Sequence, residues 1–303
     1  MIYLILSIIL ILLIIFLIWL IGERGHLILP STRQTLKEGG FNLKNLHGYI
    51  YSRWSKWYIG SMIKYIFPLS SRWFRKKIAE RYYGKILTQE QAEKIINHDH
   101  TTHVHSHQLE KVIPYPIARN LILNGPPDIC IYECACRNSR RNPCKPTKVC
   151  MIVGQPFVDF TIEHKPEDSQ RISKDEALKI LREEHERGHV HTAWFKDLCL
   201  DRFFAICNCC KCCCGGIEAM MKYSMPMLIS SGFSAKVDKN KCNGCGICER
   251  VCPFNAPKVV DGKSQINTKK CMGCEVCKDK CPEKAITLFL DKTKPDPLEI
   301  DKL

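Results

Sequence analysis

The hydrophobic and polar positions divide the chain into stretches of different period. From Ile2 to Ile21 every side chain is apolar except Ser7, and none is charged. A helix rising about 1.5 Å per residue carries twenty such residues across the roughly 30 Å hydrocarbon core of a bilayer, so residues 1–22 are expected to form a transmembrane helix. Trp19 falls near its end, where indoles favour the interface. Twenty residues without a polar face argue against a buried core helix, which is usually shorter. The run is also long for the apolar part of a cleaved leader, has no basic segment before it, and WLIGERG offers no small-residue cleavage pattern.

Helical period returns in ISKDEALKILREEHERGHVHT. Ser173 and Glu176 have capping-box spacing, EALKILREEHER repeats its apolar positions at helical intervals, and Gly188 closes the helix. His189 and His191, just beyond, read as structural. AWFKDLCLDRFFAI reads as a second helix leading into CNCCKCCCGG. Toward the C-terminus the period falls to two: SAKVD and AITLFL read as strands, and VVDGKSQIN as a hairpin turning at Asp261-Gly262. The fold class expected is α+β. A transmembrane helix (1–22) is followed by a helical membrane-proximal region (23–111), a cysteine-rich α+β middle domain (112–230) and a small C-terminal domain (231–303).

Charge changes the reading of residues 23–111. The chain carries a formal +14, and twelve Lys or Arg lie between Arg33 and Lys85 against only Glu38 and Glu80. Aromatic residues are interleaved, among them Tyr49, Trp54, Trp57, Trp73 and Tyr82. Such a mixture suits nucleic acid or an anionic membrane surface. Directly after a span the membrane is favoured, and nucleic acid is set aside as a partner. The positive-inside rule then puts this region, and all that follows, in the cytoplasm of a single-pass cell-membrane protein. Five histidines in NHDHTTHVHSH (97–107) could share one side, as His103, His105 and His107 of a strand or His100, His103 and His107 of a helix. Nothing else at ligand spacing completes a metal site, and the segment reads as a polar linker.

Twenty residues are cysteine. In a long chain facing a reducing compartment they point to metal rather than disulfides. CNGCGICERVCP from 242 and CMGCEVCKDKCP from 271 repeat C-x₂-C-x₂-C-x₃-C-P at an interval of 29 residues. Three closely spaced thiolates in a curled loop can cap three corners of a cubane, while Gly244, Gly246 and Gly273 let backbone amides approach the sulfurs. The fourth cysteine, before Pro253 or Pro282, is expected to begin a short helix leading away. A zinc ribbon would instead need two separated C-x₂-C knuckles. Over roughly residues 234–290 these motifs resemble the bacterial two-cluster ferredoxins. The resemblance implies a βαββαβ arrangement with SAKVD and AITLFL as outer strands, and two [4Fe–4S] clusters. It assigns Cys242, Cys245, Cys248 and Cys281 to one, and Cys271, Cys274, Cys277 and Cys252 to the other. Such a domain passes single electrons and has no substrate pocket of its own.

Twelve cysteines remain in the middle domain. Cys130 and Cys199 lie in apolar DICIY and DLCLD and read as buried thiols. The other ten are candidate metal ligands: Cys134, Cys136, Cys144 and Cys150, then Cys207, Cys209, Cys210, Cys212, Cys213 and Cys214. Adjacent cysteines point different ways, so the second group cannot all serve one tetrahedral ion, and vicinal disulfides are strained. Three readings stay open: one or two further iron–sulfur clusters, zinc–thiolate sites, or redox-active thiols whose pKa values are lowered by Lys211 and Arg137. The neighbouring ferredoxin motifs favour the first. YECACR, PCKPTKVC, ISKDEALKILREEHERGHVHTAWF, ICNCCKCCC and the ferredoxin tail, in that order, are similar to a poorly characterised group of membrane-anchored 4Fe–4S proteins of anaerobes. That resemblance implies a membrane-linked redox protein and adds no substrate; which redox protein is its partner stays open. The chain shows no dinucleotide or phosphate-binding glycine motif, no C-x₃-C-x₂-C radical triplet and no Ser-His-Asp signature. A membrane-anchored, cytoplasm-facing carrier of single electrons is therefore expected. The alternatives are an iron–sulfur reductase or reductive activator acting through the middle domain, and an anchored ferredoxin with a zinc–thiolate docking module.

Overall fold

The apolar run forms one helix, Ile2–Gly22, in a computed structural model that describes residues 2–105 and 107–302. Tyr3–Gly22 is long and apolar enough to cross a membrane, and its most apolar stretch is not buried inside the protein. Its C-terminal end is fastened to the rest of the chain. The last carbonyls of a helix lack partners within it; here Gly22 accepts from Arg53 Nε at 2.8 Å and lies 3.1 Å from His164 Nδ1. Glu23 is buried and accepts from the Leu29 amide at 2.5 Å and Thr32 Oγ1 at 3.0 Å. Trp19 stacks on Tyr49 with ring centroids 5.2 Å apart.

Helices Pro30–Gly39, Leu43–Arg53, Ser55–Ser61 and Arg72–Arg81 follow, the third continuing through a π-turn at Met62–Ile66. Asn42 and Ser71 start two of them by accepting from the amides of Asn45 and Phe74. These helices leave Phe41, Leu43, Trp57, Leu69 and Trp73 exposed, whereas beyond Phe74 the only exposed large apolar side chains among the described residues are Met221, Val260 and Leu290.

A seven-stranded sheet forms the centre. Its order is Ser169–Arg171, Ile129–Glu133, Lys148–Val153, Arg202–Cys209, Val190–Lys196, Tyr82–Leu87, Leu228–Ile229, antiparallel except for the last pair. Two differences from expectation follow. AWFKDLCLDRFFAI is not a helix but most of a hairpin, Val190–Lys196 with Arg202–Cys209, turning where Leu200 and Asp201 adopt φ of 54° and 57°. Every residue of Val190–Lys196 is buried, His191, Thr192 and Lys196 included, so both faces are covered and the alternation that marks a half-buried strand is missing. Further, Tyr82–Leu87 lies within the segment that composition assigns to the membrane-proximal region, yet pairs residue by residue with Val190–Lys196. The sheet thus crosses the expected division at residue 111.

Helix Lys174–Glu186 carries the full capping box of Ser173 and Glu176 and ends before Gly188, whose φ is +81°. It packs with helix Gln89–Asn97 on one face of the sheet; Phe157–His164 and the cysteine-bearing loops cover the other. His103 lies on a short strand, Thr102–Val104, paired with Leu121–Leu123, and among the described residues no three histidines converge.

In the C-terminal domain Phe233–Val237 pairs with Ile286–Leu290, and Pro257–Val260 with Lys263–Ile266. Asp261 and Gly262 turn the hairpin at φ of 50° and 70°, the pattern that Asp-Gly favours. The short helices Ile247–Val251 and Val276–Asp279 carry the third cysteine of each motif and end just before the fourth. The fourth cysteine therefore follows its helix rather than beginning one. Cys252 is extended (φ −66°, ψ 122°), as a residue before proline must be.

Candidate metal centres

Two cavities open within the C-terminal domain. Cys242, Cys245, Cys248 and Cys281 line one, with Pro282 at its wall. Cys252, Cys271, Cys274 and Cys277 line the other. Each combines three cysteines of one motif with the fourth of the other, because the two motifs face each other across the domain. Backbone amides point at the sulfurs: Ser264 N–H to Cys242 Sγ and Ala285 N–H to Cys281 Sγ, both 3.4 Å, in the first. In the second, Ala235 N–H reaches Cys271 Sγ at 3.3 Å and Phe254 N–H reaches Cys252 Sγ at 3.4 Å. Ser264 Oγ lies 3.2 Å from Cys248 Sγ. Four sulfurs served by amide donors are the environment that a thiolate-ligated cluster requires.

The glycines differ in what they do. At Gly244 (φ +76°) a Cβ would stand 2.2 Å from the Gly262 carbonyl oxygen, and at Gly273 (φ +66°) 2.4 Å from that of Phe233. Gly246 (φ +72°) has no such neighbour and serves as the left-handed entry to helix Ile247–Val251. Pro253 is buried directly behind Cys252.

The ten candidate cysteines of the middle domain separate into six and four. An unbroken string of side-chain contacts runs Cys207–Cys150–Cys134–Cys136–Cys214–Cys209, ending at Thr192 Oγ1, 3.4 Å from Cys209 Sγ. Contact with Cys136 and burial push the Cys134 thiol up to about 12, and its neighbours hold Cys150 well above the usual thiol range. Without metal the Cys134 and Cys150 sulfurs keep their protons. The string borders a cavity of about 380 Å³ also lined by Tyr51, Tyr58, Tyr82, Tyr132 and Lys196. Lys196 Nζ sits 3.9 Å from the ring centroids of both Tyr51 and Tyr82, and burial pushes its amine down to about 8.

The other four, Cys144, Cys210, Cys212 and Cys213, lie beside the ferredoxin domain. Lys211 Nζ donates to the Arg250 carbonyl at 2.9 Å, and His185 Nε2 lies 2.8 Å from Asp279 Oδ2. Arg137 is engaged by Glu184 at 2.7 Å and by the carbonyls of Asn208 and Pro146. At Cys210 burial outweighs Arg137 and the thiol is pushed up. Cys130 and Cys199 are buried, each held up to about 12 by burial.

Several residues at these centres carry no sequence signal. Lys196 and its tyrosine cage assemble from distant segments. His191 is structural, bonded to Asn208 Oδ1 and Gln89 Oε1, but His189 Nε2 faces Cys144 Sγ at 3.9 Å. Only its place in GHVHT, after a capped helix, hinted at it.

Residues 235–258 and 264–287 match the family model of the 4Fe-4S binding domain. No curated protein matches the sequence. The chain thus carries a C-terminal ferredoxin domain of two repeats, an iron–sulfur module for electron transfer.

Proposed function

We propose that this protein is a membrane-anchored, cytoplasm-facing electron carrier. Single electrons pass through two [4Fe–4S] clusters, one held by Cys242, Cys245, Cys248 and Cys281, the other by Cys252, Cys271, Cys274 and Cys277. The observation that carries this reading is the pair of four-cysteine cavities, each drawn from both motifs and each supplied with amide donors. When bound, each cluster takes up and releases one electron. The chain's own residues set how readily: N–H···S bonds favour added negative charge, and burial of Cys248, Cys252, Cys271 and Cys277 keeps water away.

The helix Ile2–Gly22 serves as the span. The basic helices after it, with exposed Trp57, Trp73 and Leu69, rest in the headgroup region. The six-thiol string holds a further iron–sulfur centre. Its sulfurs border a cavity, and Arg137 and Lys196, which line the same cavity, offset the charge of thiolates.

The test is iron and acid-labile sulfide per chain on protein purified without oxygen, followed by reductive titration. About eight iron and eight sulfide correspond to the ferredoxin clusters alone, and twelve or more add the middle-domain centre. Absence of a reducible cluster overturns the reading. One observation favours a second reading, a reductase: the cavity beside the thiols extends to Lys196 and four tyrosines, a concave apolar site with a few converging polar groups. Turnover of added acceptors by the reduced protein, lost in Lys196→Met with cluster content unchanged, would support it.

A further inference from the structure

We propose that Cys144, Cys210, Cys212 and Cys213 form a site for one soft ion, zinc or ferrous iron, in tetrahedral thiolate coordination, separate from the string of six. The distances between sulfurs decide the kind of centre. The sulfurs of Cys144, Cys210 and Cys212 all lie within 4.8 Å of one another. Four thiolates each about 2.3 Å from a single ion stand about 3.8 Å apart, whereas a cubane places an iron behind each sulfur and needs them much wider. Among the described residues no other three ligand atoms of His, Cys, Asp or Glu meet that limit, the eight ferredoxin cysteines included. The same chain therefore holds its cubane cysteines open and these three closed.

Cys213, whose sulfur stands more than 4.8 Å from at least one of these three, is the fourth ligand that binding draws in. It lies 3.5 Å from Cys212 Sγ and accepts from the Cys144 amide at 3.4 Å. Strand Arg202–Cys209 ends before Cys210, and the two groups differ in which sulfurs meet: Cys209 touches Cys214, whereas Cys210, which also borders the large cavity, gathers with Cys144 and Cys212. A surrounding layer is built as well. His189 Nε2 faces Cys144 Sγ at 3.9 Å, with its Nδ1 held by Glu184 at 2.6 Å. Arg140 donates to the Cys213 carbonyl at 2.8 and 3.1 Å. Metal ligands oriented in this way hold their geometry. Binding replaces the thiol protons with one ion and involves no electron transfer.

The ion has a place in the architecture. Lys211, between two ligands, bonds the carbonyl of Arg250, two residues before Cys252 of the second ferredoxin cavity. Fixing this loop fixes the seat of the ferredoxin domain. The inference stands without the electron-transfer reading, because it rests on different cysteines.

The full-length protein, purified in detergent without oxygen, is tested by metal analysis and by X-ray absorption at the zinc and iron edges. Cys212 is exposed, so Cys212→Ser leaves the core intact. The expected result is about one zinc per chain with a sulfur-only shell near 2.3 Å and no metal–metal scattering. That zinc is lost in Cys212→Ser and retained in Cys134→Ser. A silent zinc edge, with one mononuclear high-spin iron lost in Cys212→Ser, identifies the same site loaded with iron. Loss of about four iron in Cys212→Ser would mean a cubane and overturn the proposal. So would unchanged metal in Cys212→Ser, or equal loss in Cys134→Ser. Retention of the ferredoxin iron in both variants separates failure of this site from failure of the clusters.

Discussion

Arg137 and Glu184 form an ion pair at 2.7 Å beneath the cysteine-rich loops, with both side chains withdrawn from solvent (0% and 1% exposed). Arg137 follows Cys136 on the short helix Ala135–Asn138, and Glu184 lies near the end of helix Lys174–Glu186. The pair joins the first cysteine loop to the capped helix. Burial alone would raise the Glu184 carboxyl, but His189 and Arg137 hold it below the usual carboxylate range. Glu184→Ala leaves a buried guanidinium without its counter-charge, which typically costs about 3 kcal/mol or more. A large drop in the thermal midpoint is expected, with most of it recovered in Arg137→Met/Glu184→Leu. A midpoint within a degree or two of the parent would show that water reaches Arg137.

Ligation across the two motifs has a distinct signature. Cys252→Ser should remove the cluster of the second motif, although Cys252 belongs to the first, and Cys248→Ser should remove the other. Each variant keeps about four of the ferredoxin iron atoms. Electron paramagnetic resonance of the reduced variants should show one cluster without the spin coupling of a pair. Loss of the same cluster in both variants would place Cys252 with its own motif.

The ferredoxin glycines should not be equivalent. Gly244→Ala sets a Cβ against the Gly262 carbonyl oxygen, which cannot move without breaking the hairpin, so cluster content should fall sharply. Gly246→Ala meets only open space and the flexible end of Arg250. It carries the left-handed backbone cost of roughly 1–2 kcal/mol and should keep its cluster. Iron content and the visible absorption band of the two variants check the contrast.

Lys85 is fully buried in the sheet, its amine donating to the carbonyls of Asp296 at 2.6 Å and Val112 at 3.2 Å. Burial pushes it down to about 7 from an ordinary 10.5. Between these values the unfolded chain binds a proton that the folded chain does not, so this group makes stability rise with pH. The slope is at most about 1.4 kcal/mol per pH unit. Below pH 7 both states hold the proton and its contribution is level. The stability difference between the parent and Lys85→Met should therefore change between pH 7 and 9.5 in favour of the parent. A difference constant with pH would mean that the amine keeps its ordinary affinity.

Trp57 and Trp73 are 75% and 69% exposed on the helices that follow the apolar helix Ile2–Gly22. In proteoliposomes containing brominated lipid, their emission should be quenched, and Trp57→Phe/Trp73→Phe should remove that share. Quenching unchanged by the substitutions would put this face in water.

Local patterns were legible wherever one short segment settles its own structure. The capping box of Ser173 and Glu176, the Asp261-Gly262 turn and the twenty-residue apolar run depend on residues within a few positions of one another. The repeated cysteine spacing likewise announces the ferredoxin domain matched by the family model. AWFKDLCLDRFFAI misleads for a physical reason: a strand covered on both faces has no polar side, so its period is silent.

The sequence by itself determined the kinds of chemistry present, an apolar helix, a basic aromatic region, and soft-metal ligands in excess of any folding need. Only the tertiary structure decided how those ligands are shared. Cys209 and Cys210 are neighbours in the chain, but Cys209 meets Cys214 and Thr192 while Cys210 gathers with Cys144 and Cys212; Cys144 and Cys212 are distant, and folding brings their sulfurs within 4.8 Å. The pairing of Tyr82–Leu87 with Val190–Lys196 places Lys196 against Tyr82 in the same way. Metal coordination depends on distances between side chains, and across long loops those distances are set by packing rather than by spacing along the chain.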